Sequence, residues 1–436
     1  MRMALLLGLS LLGCAAAPVD YTALDSAASA RQKWSDAESA RAAQDVKKLL
    51  EKPLTADRAA RVALLQNRGA KAAAEELGIA QAELAGVRRL PNPELHGALR
   101  FRRGTEPDID VMATLNVSTL LFAIARSNAA EADVAAAKLQ AVGVLVDLSF
   151  DARRAFVSYQ ASLELVELRQ SVLAAFEASA AAAERLREAG NVTELNLASE
   201  QAEREQARLA LVGAKAETSA AREALSALMG ITATEPAWRA PNHLPELPAN
   251  ELPLQRLEAD ALHQSLDIAA AKQRFRAAAA HADVASASGW LPELKAGVSA
   301  ERSGDWGVGP AVQLELPLFY QGQNEVGVAR ARMKREQHLY ADAAVRVRSA
   351  ARAVQSRLEA ARRGVVHARE VVLPLRERVV QQTQLEYNGM LVGIFQLLEA
   401  KRQELAAAEQ YLTLRREYWL SRLAAEQLLA GRRPEL

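Results

Sequence analysis

The sequence predicts a mainly α-helical fold that also contains transmembrane β-strands. Three observations lead to this prediction: long helix-forming stretches, four short segments of alternating polarity, and an internal duplication. The tripeptide Pro-Glu-Leu at residues 93–95 returns at residues 292–294, an offset of 292 − 93 = 199 residues. Each half then contains a helix, two strands and two long helices, and such a duplication is typical of a pseudo-symmetric architecture.

The helix-forming stretches are too long for an ordinary globular domain. Residues 127–188 and 192–229 contain no proline, and Ala-Gly-Asn separates them. Glycine and asparagine tolerate the left-handed backbone that ends helices, and Asn388-Gly389 stands at the corresponding place in the second half. A helix of about 60 residues would be about 90 Å long, which indicates a coiled coil, a helical bundle or a tunnel. Pro374 should kink or restart its helix.

Four segments alternate between apolar and polar residues, as transmembrane barrel strands do. They are predicted at about residues 94–102 and 108–118 in the first half, and 293–301 and 308–318 in the second. Lengths of about 9 to 11 residues match strands that cross a membrane with their polar face toward a lumen. The residues predicted to face the lumen are Arg100, Arg102, Asp110, Asn116, Lys295, Gln313 and Glu315. Four strands cannot close a barrel, and lipid does not tolerate an open sheet edge, so three chains would supply 3 × 4 = 12 strands.

The N-terminus has the features of an export signal followed by a lipid-attachment site. A short positive start precedes an apolar stretch that ends in Leu-Leu-Gly-Cys, and this stretch is too short to cross a membrane as a helix. The motif resembles a lipobox, in which the cysteine is acylated after cleavage. Cys14 is the one cysteine of the chain, so it is the predicted lipid-attachment residue. Residues 1–13 are predicted as the signal peptide and 14–53 as a lipid-anchored tail.

The duplication and a run of prolines set the remaining boundaries. The first repeat is predicted over residues 54–230 and the second over 254–431, with a tail at 432–436. Residues 231–253 between the repeats are rich in proline, which lacks the backbone donor that a helix needs, so they are predicted to form an extended linker.

Composition and motifs exclude several classes of function. The chain has 54 Lys+Arg and 53 Asp+Glu residues, a net charge of +1, which does not predict nucleic-acid binding. No nucleotide-binding, nucleophile or zinc motif is present, and the 6 histidines are scattered. The glycine-rich residues 304–309 lie between two predicted strands and are interpreted as an extracellular turn. We therefore predict no enzyme activity, no cofactor and no metal site.

Several motifs, in this order and duplication, resemble the outer-membrane efflux protein family, the TolC-like channels. Residues 89–95 read Arg-Leu-Pro-Asn-Pro-Glu-Leu, residues 291–294 read Leu-Pro-Glu-Leu, and residues 190–195 read Gly-Asn-Val-Thr-Glu-Leu. The resemblance covers residues 54–431. It implies a homotrimeric 12-stranded barrel in the outer membrane, continued by a 12-helix periplasmic α-barrel. Small molecules or metal ions would leave through this passive pore, which a periplasmic adaptor couples to an inner-membrane pump.

The resemblance also implies where the periplasmic tip and gate lie. The predicted tip residues are Gly190, Asn191, Glu194, Gly389, Gly393, Gln396 and Glu399. Many family members carry acidic residues after the second tip glycine, but here Phe395 or Gln396 stands at that place. The candidate acids are therefore Glu399, Glu194 and Glu200, each of which could equally be a solvated helix charge. Residues 387–398 are reminiscent of members linked to copper or heavy-metal export.

Two alternative functions remain open from the sequence. One is a periplasmic lipoprotein adaptor or scaffold, which would have one helical hairpin and no pore. The other is the channel of a type I protein-secretion system, which shares the fold and differs in cargo and pump.

Overall fold

The computed structural model describes residues 44–101, 103, 106–231, 238–289, 293–315 and 318–435. The predicted signal peptide, Cys14 and most of the predicted tail lie outside these ranges, as does Arg102. The described helices are α1 (residues 44–50), α2 (Ala56–Gln66), α3 (Arg68–Val87), α4 (Val117–Leu121), α5 (Ala123–Glu188), α6 (Glu194–Met229), α7 (Leu257–Gln264), α8 (Leu266–Ser288), α9 (Gln323–His367), α10 (Leu373–Asn388) and α11 (Ile394–Leu429). The described strands are β1 (Glu94–Arg100), β2 (Asp108–Asn116), β3 (Leu294–Ser303) and β4 (Asp305–Leu314).

Long helical rods dominate both halves of the chain. Helix α5 has 66 residues, which corresponds to about 99 Å at about 1.5 Å per residue. In the second half, a π-helical turn at Ala368–Val372 joins α9 to α10 in one rod. Pro374 lies in the first turn of α10, where its missing N–H is tolerated. The sequence expectation of an irregularity at this proline therefore corresponds to the π turn beside it.

The four strands form one antiparallel sheet in the order β1-β2-β3-β4. Strand β2 pairs with β1 and β3, and β3 pairs with β4. Neither β1 nor β4 has a second strand partner within the described ranges, so the sheet has two open edges.

The strand register places polar and apolar side chains on opposite faces. Asn116 lies opposite Lys295, and Lys295 lies opposite Gln313. Directly opposite residues point to the same face of a sheet, so these three polar residues share a face. Val111 lies opposite Ala300 on the other face. The alternation of the sequence thus produces one polar and one apolar face, apart from Arg302, which lies on the apolar face at the hairpin end of β3.

Strand β4 begins earlier than the sequence pattern predicted. The prediction was residues 308–318, but β4 runs from Asp305 to Leu314. Gly304 adopts φ 93°, a left-handed conformation that glycine reaches without steric cost, and it closes the hairpin in a tight turn. Trp306 pairs with Arg302 across this turn. The interpretation of residues 304–309 as an extracellular turn is therefore wrong for residues 305–309, which belong to β4. Gly307 and Gly309 pair with β3 through their backbone, as other residues do.

Four helices continue from the sheet as a single layer. Helix α5 packs against α3 on one side and α8 on the other, and α8 packs against α9. The order across the layer is therefore α3-α5-α8-α9. Helix α3 leads into β1, and β4 leads into α9, so these two helices form the outer edges of the layer on the sides of the two open strand edges.

The largest buried cluster lies where the linker between the repeats crosses the helices. It includes Leu254, Leu257, Leu358, Tyr418 and Leu428, from the linker end and from α7, α9 and α11. Alanines such as Ala350 and Ala425 complete it, which lets the helices approach closely.

A partly buried carboxylate fastens the linker to this cluster. Glu251 accepts hydrogen bonds from the Tyr418 hydroxyl at 2.7 Å, from Arg362 at 2.8 Å and from Arg422 at 2.6 Å. We call these four residues the linker clamp. Burial raises the pKa of the Glu251 carboxyl, but the hydrogen bonds from Tyr418, the Leu252 N–H and Arg362, with the charge of Arg422, outweigh burial and lower that pKa. Burial and the bond to Glu251 raise the pKa of Tyr418 to about 12.

Gly297→Ala should destabilise the sheet, because a Cβ at Gly297 would overlap the carbonyl oxygen of Ala113 and lie 2.7 Å from Thr114 Cα. We expect a loss of about 1–3 kcal/mol in the free energy of unfolding. Guanidinium unfolding in detergent, followed by tryptophan fluorescence, would measure it. The matched control is Gly309→Ala, where a Cβ meets nothing within 4 Å. Equal stability of both variants would contradict the close approach at Gly297.

Glu251→Gln should lower the free energy of unfolding by about 1–3 kcal/mol, because it leaves the partly buried guanidinium donors of Arg362 and Arg422 imperfectly paired. The pKa of Glu251 is lowered in the folded chain. Its stabilisation is therefore complete above the unfolded pKa of about 4.3 and is lost as pH falls through the folded value. The difference between wild type and variant should be constant from about pH 6 to 8 and shrink below about pH 4.

The same unfolding series should include Glu258→Gln as a control. Glu258 also contacts two arginines, Arg348 at 3.1 Å and Arg352 at 2.9 Å, but both guanidiniums are largely exposed. Solvent screening makes such pairs weak, so a much smaller loss is expected. If Glu258→Gln lowers the free energy of unfolding as much as Glu251→Gln does, burial does not make the linker clamp more stabilising than an exposed ion pair.

Candidate functional site

The polar face of the sheet carries a network of paired charges. Arg100 contacts Asp110 at 2.7 Å, and Lys295 contacts Glu94 on β1 at 2.8 Å. The ion pair between Lys295 on β3 and Glu94 on β1 spans β2, and Thr114 of β2 is buried beneath it. These bridges connect three strands on one face, so this face is both charged and cross-linked.

The predicted lumen residues are largely brought together by this register. Arg100, Asp110, Asn116, Lys295 and Gln313 occupy positions on the polar face. Asn116 donates to Glu293 at 2.7 Å and caps α4 by accepting the Thr119 N–H at 3.0 Å. Glu315 follows the end of β4, and its N–H donates to the Glu293 carbonyl at 3.1 Å. Their role in a lumen stays a prediction, and Arg102 lies outside the described residues.

The first helix–helix turn follows the sequence prediction closely. Gly190 has φ 72°, and the Asn191 N–H donates to the Leu186 carbonyl at 2.8 Å, which closes the end of α5. Thr193 then caps α6 by accepting the Asn196 N–H at 3.2 Å. Glu194 is the first residue of α6 and contacts Arg187 at 3.3 Å, with both side chains largely exposed.

The second helix–helix turn departs from the prediction at one residue. The left-handed residue is Met390, with φ 60°, whereas Gly389 has φ −80°. Helix α10 ends at Asn388 with Gly389 as its C-cap, as predicted, but the left-handed position falls on Met390 and not on Gly389. The equivalent left-handed positions therefore differ by 390 − 190 = 200 residues. Gly393 is the N-cap of α11, and the Gln396 side chain accepts the Gly393 N–H at 3.0 Å. The flexible Met390 side chain is almost fully exposed.

Among the three candidate acids near the turns, only Glu200 is buried. It is 7% exposed and forms an ion pair with Arg402 of α11, while Ser179 of α5 donates to the same carboxylate. Arg402 also stacks over the Phe176 ring at 4.7 Å and contacts Glu399 at 3.6 Å. Sequence reasoning missed Arg402, which joins the two helical hairpins.

A cavity between helices of the layer also carries charge. A cavity of about 570 Å³ between α5, α8 and α9 is lined by Asp133, Arg274, His281 and Arg332. His281 contacts Asp133 at 2.8 Å, which accounts for one of the scattered histidines as an ion-pair partner. Over the described part of the chain, no group of three or more His, Cys, Asp or Glu side chains is placed to hold a metal ion. No helix in that part is long and apolar enough to cross a membrane.

Comparisons with known proteins agree with this architecture. No protein-family model matches the chain. Over 365 residues it is 25% identical to the cobalt-zinc-cadmium resistance protein CzcC of Cupriavidus metallidurans, covering 83% of this chain and 86% of CzcC. The Campylobacter jejuni outer membrane channel CmeC superposes with TM-score 0.72 at 15% identity, over 86% of this chain and 85% of CmeC. The open-state Neisseria gonorrhoeae outer membrane channel MtrE gives 0.68 at 19%, over 87% and 89%.

The chain therefore has the fold of outer-membrane channels, and the resemblance to the TolC-like channels predicted from its motifs is confirmed. These similar proteins favour the channel over the adaptor alternative, which would have a single hairpin. They also agree with the prediction that the chain is not an enzyme.

Met390→Gly should stabilise the turn between α10 and α11, because methionine pays a steric cost of about 1 kcal/mol in the left-handed region that glycine does not pay. The local opening equilibrium should fall about fivefold. Hydrogen exchange of the Met390 and Leu391 amides, which donate to the Tyr387 and Glu386 carbonyls, would measure this. Gly190→Ala in the first turn should have the opposite effect. Faster exchange in Met390→Gly would contradict the strain.

Proposed function

We propose that this chain is the outer-membrane channel subunit of a tripartite efflux system, and that three copies form one passive pore. The observation that carries this proposal is the four-stranded sheet at the end of the helical layer. It has one charged face, one apolar face and two open edges. A sheet of this kind satisfies its backbone groups in lipid only if further copies close it into a barrel.

The apolar face has the size and exposure expected of a lipid-facing surface. Leu95 is 75% exposed and Val308 is 72% exposed, and they belong to the two edge strands. Strand β2 has 9 residues, about 30 Å at about 3.3 Å per residue. With a tilt of about 40° it would span about 23 Å, close to the apolar band of about 25 Å in transmembrane barrels.

Closure by three chains accounts for both the sheet and the helical layer. Three copies would give 3 × 4 = 12 strands and, because each layer has the order α3-α5-α8-α9, 3 × 4 = 12 helices in a continuous wall. The charged face of the sheet would then line a water-filled lumen, and the outer membrane would surround the apolar face.

The charge of the polar face favours cations as cargo. Its strand positions carry five carboxylates, Glu94, Asp108, Asp110, Glu301 and Asp305, and two cationic side chains, Arg100 and Lys295. The difference is 2 − 5 = −3 in each copy, or 3 × −3 = −9 in a trimer. Rings of acidic side chains raise the local concentration of cations. The relative CzcC is named for resistance to cobalt, zinc and cadmium, so we propose metal cations as the cargo class.

The remaining assignments follow from the same proposal. The helix–helix turns at Gly190 and Met390 lie at the far ends of the long rods and would be the periplasmic tips. There, a periplasmic adaptor would join the channel to the inner-membrane pump that supplies the energy. Acylation of Cys14 would anchor the tail in the outer membrane.

Assembly and selectivity can be tested on one preparation of the full chain extracted from outer membranes in detergent. Native mass spectrometry should give three times the mass of the mature chain, with acyl groups on Cys14. The same trimer, inserted in planar bilayers under a potassium chloride gradient, should conduct with a reversal potential of the sign expected for cation selectivity.

Each readout addresses a separate part of the proposal. A monomer that needs no detergent would remove the barrel and favour a periplasmic scaffold. A trimer that is anion-selective would keep the channel and overturn the assignment of cationic cargo. A trimer without acyl groups would overturn the lipid anchor alone.

A further inference from the structure

Helices α3 and α9 each present a flank that no described part of the chain covers. On α3, the positions at Ala70, Ala73, Leu77 and Ala80 recur at helical spacing, are at least partly covered, and face α5. The opposite flank of α3 is exposed and carries Arg68, Lys71, Glu75, Gly78, Ala82 and Gly86. On α9, the flank away from α8 carries Gly327, Ala331, Lys334 and His338, all exposed.

Packing among the described residues of a single copy does not require the glycines on these flanks. A Cβ added at Gly86 or Gly327 would meet nothing within 4 Å, and at Gly78 it would meet only the Glu75 side chain at 3.7 Å. Glycine inside a helix costs about 1 kcal/mol relative to alanine. These positions make physical sense if another helix backbone approaches them closely.

The charges on the two flanks are complementary at matching heights. Helix α3 ends and α9 begins at the same end of the sheet. Glu75 lies 87 − 75 = 12 residues from the end of α3, about 18 Å, and Lys334 lies 334 − 323 = 11 residues from the start of α9, about 17 Å. No described residue forms an ion pair with Glu75 or Lys334.

We propose that α3 of one copy packs against α9 of the neighbouring copy, with Glu75 facing Lys334. Near the sheet, the small residues Ala82 and Gly327 would be in contact, at about 8 Å and 6 Å from their helix ends. The contact is head-to-tail, and it closes into a ring of three when each copy is rotated by a third of a turn from its neighbour. This inference rests on the proposed trimer and specifies the surface that sets its register.

The helices would be needed for register because the edge strands specify it weakly. Strand β4 contains Gly307, Gly309 and Pro310, and glycine-rich strands are prone to slip. A slip of two residues moves a strand by about 7 Å. Such a slip would bring Lys71, which lies about 24 Å from the end of α3, to the height of Lys334. Repulsion between these two lysines would then destabilise the slipped register. Exposed ion pairs contribute little affinity, but they select between registers.

Charge reversal tests the proposed pair. Glu75→Lys and Lys334→Glu should each reduce the fraction of trimer seen by native mass spectrometry, and the double variant should restore it. The matched control is Arg332→Glu, which makes the same charge change on the side of α9 that lines the cavity with His281 and should leave the trimer unchanged. Equal trimer fractions in wild type and both single variants would overturn the pairing.

Thiol cross-linking tests the contact independently of charge. The full chain with both Ala82→Cys and Gly327→Cys should form a ladder of covalent dimers and trimers on mild oxidation. A link within one copy is excluded, because α5 and α8 separate α3 from α9 in the layer. Each single variant serves as the control for Cys14. A stable trimer without this ladder overturns the α3–α9 contact and leaves the channel proposal intact, whereas a wild-type chain that forms no trimer overturns the channel itself.

Discussion

The two open edges of the sheet are the constraint on which the rest of this structure depends. A backbone N–H or C=O group without a partner costs several kcal/mol in hydrocarbon, and β1 and β4 each present a row of such groups. The exposed apolar face is unfavourable in water, and the open edges would be costly for a single copy in lipid. The closed barrel that we propose would meet both requirements. The single layer of helices would continue the wall of that barrel beyond the strands.

A wall one helix thick has little core, so its stability must come from elsewhere. The buried clusters concentrate where the linker crosses α7, α9 and α11, and there the linker clamp holds an otherwise irregular segment by a carboxylate at Glu251. A second carboxylate, Glu164, binds Arg415 at 2.7 Å and the Leu244 N–H at 3.0 Å. Polar anchors of this kind fix a proline-rich chain that cannot form ladders of its own. They connect the two repeats without requiring a broad hydrophobic core.

The sequence predicted the parts of the fold that depend on periodicity. Alternation located the strands and their two faces, and proline-free runs located the rods, because both signals are local. The prediction from sequence failed where tertiary contacts or steric constraints determine the structure. The tight turn at Gly304 places the start of β4 earlier than predicted. At the second helix–helix turn, Met390 and not Gly389 adopts the left-handed conformation. Arg402 was missed because its partner, Glu200, is about two hundred residues away, and one sequence gives no signal for such a pairing.

The ion pair between Glu200 and Arg402 also shows how the two repeats have diverged. With the offset of 200 residues found at the tips, Glu200 corresponds to Ala400 and Arg402 corresponds to Ala202. Each half therefore supplies one member of the ion pair and an alanine at the equivalent of the other. Two identical repeats would place glutamate and arginine in both halves, with two competing ways to join the hairpins. Divergence at these positions leaves a single arrangement, and since burying an unpaired charge is costly, it excludes the alternative in which the hairpins exchange roles.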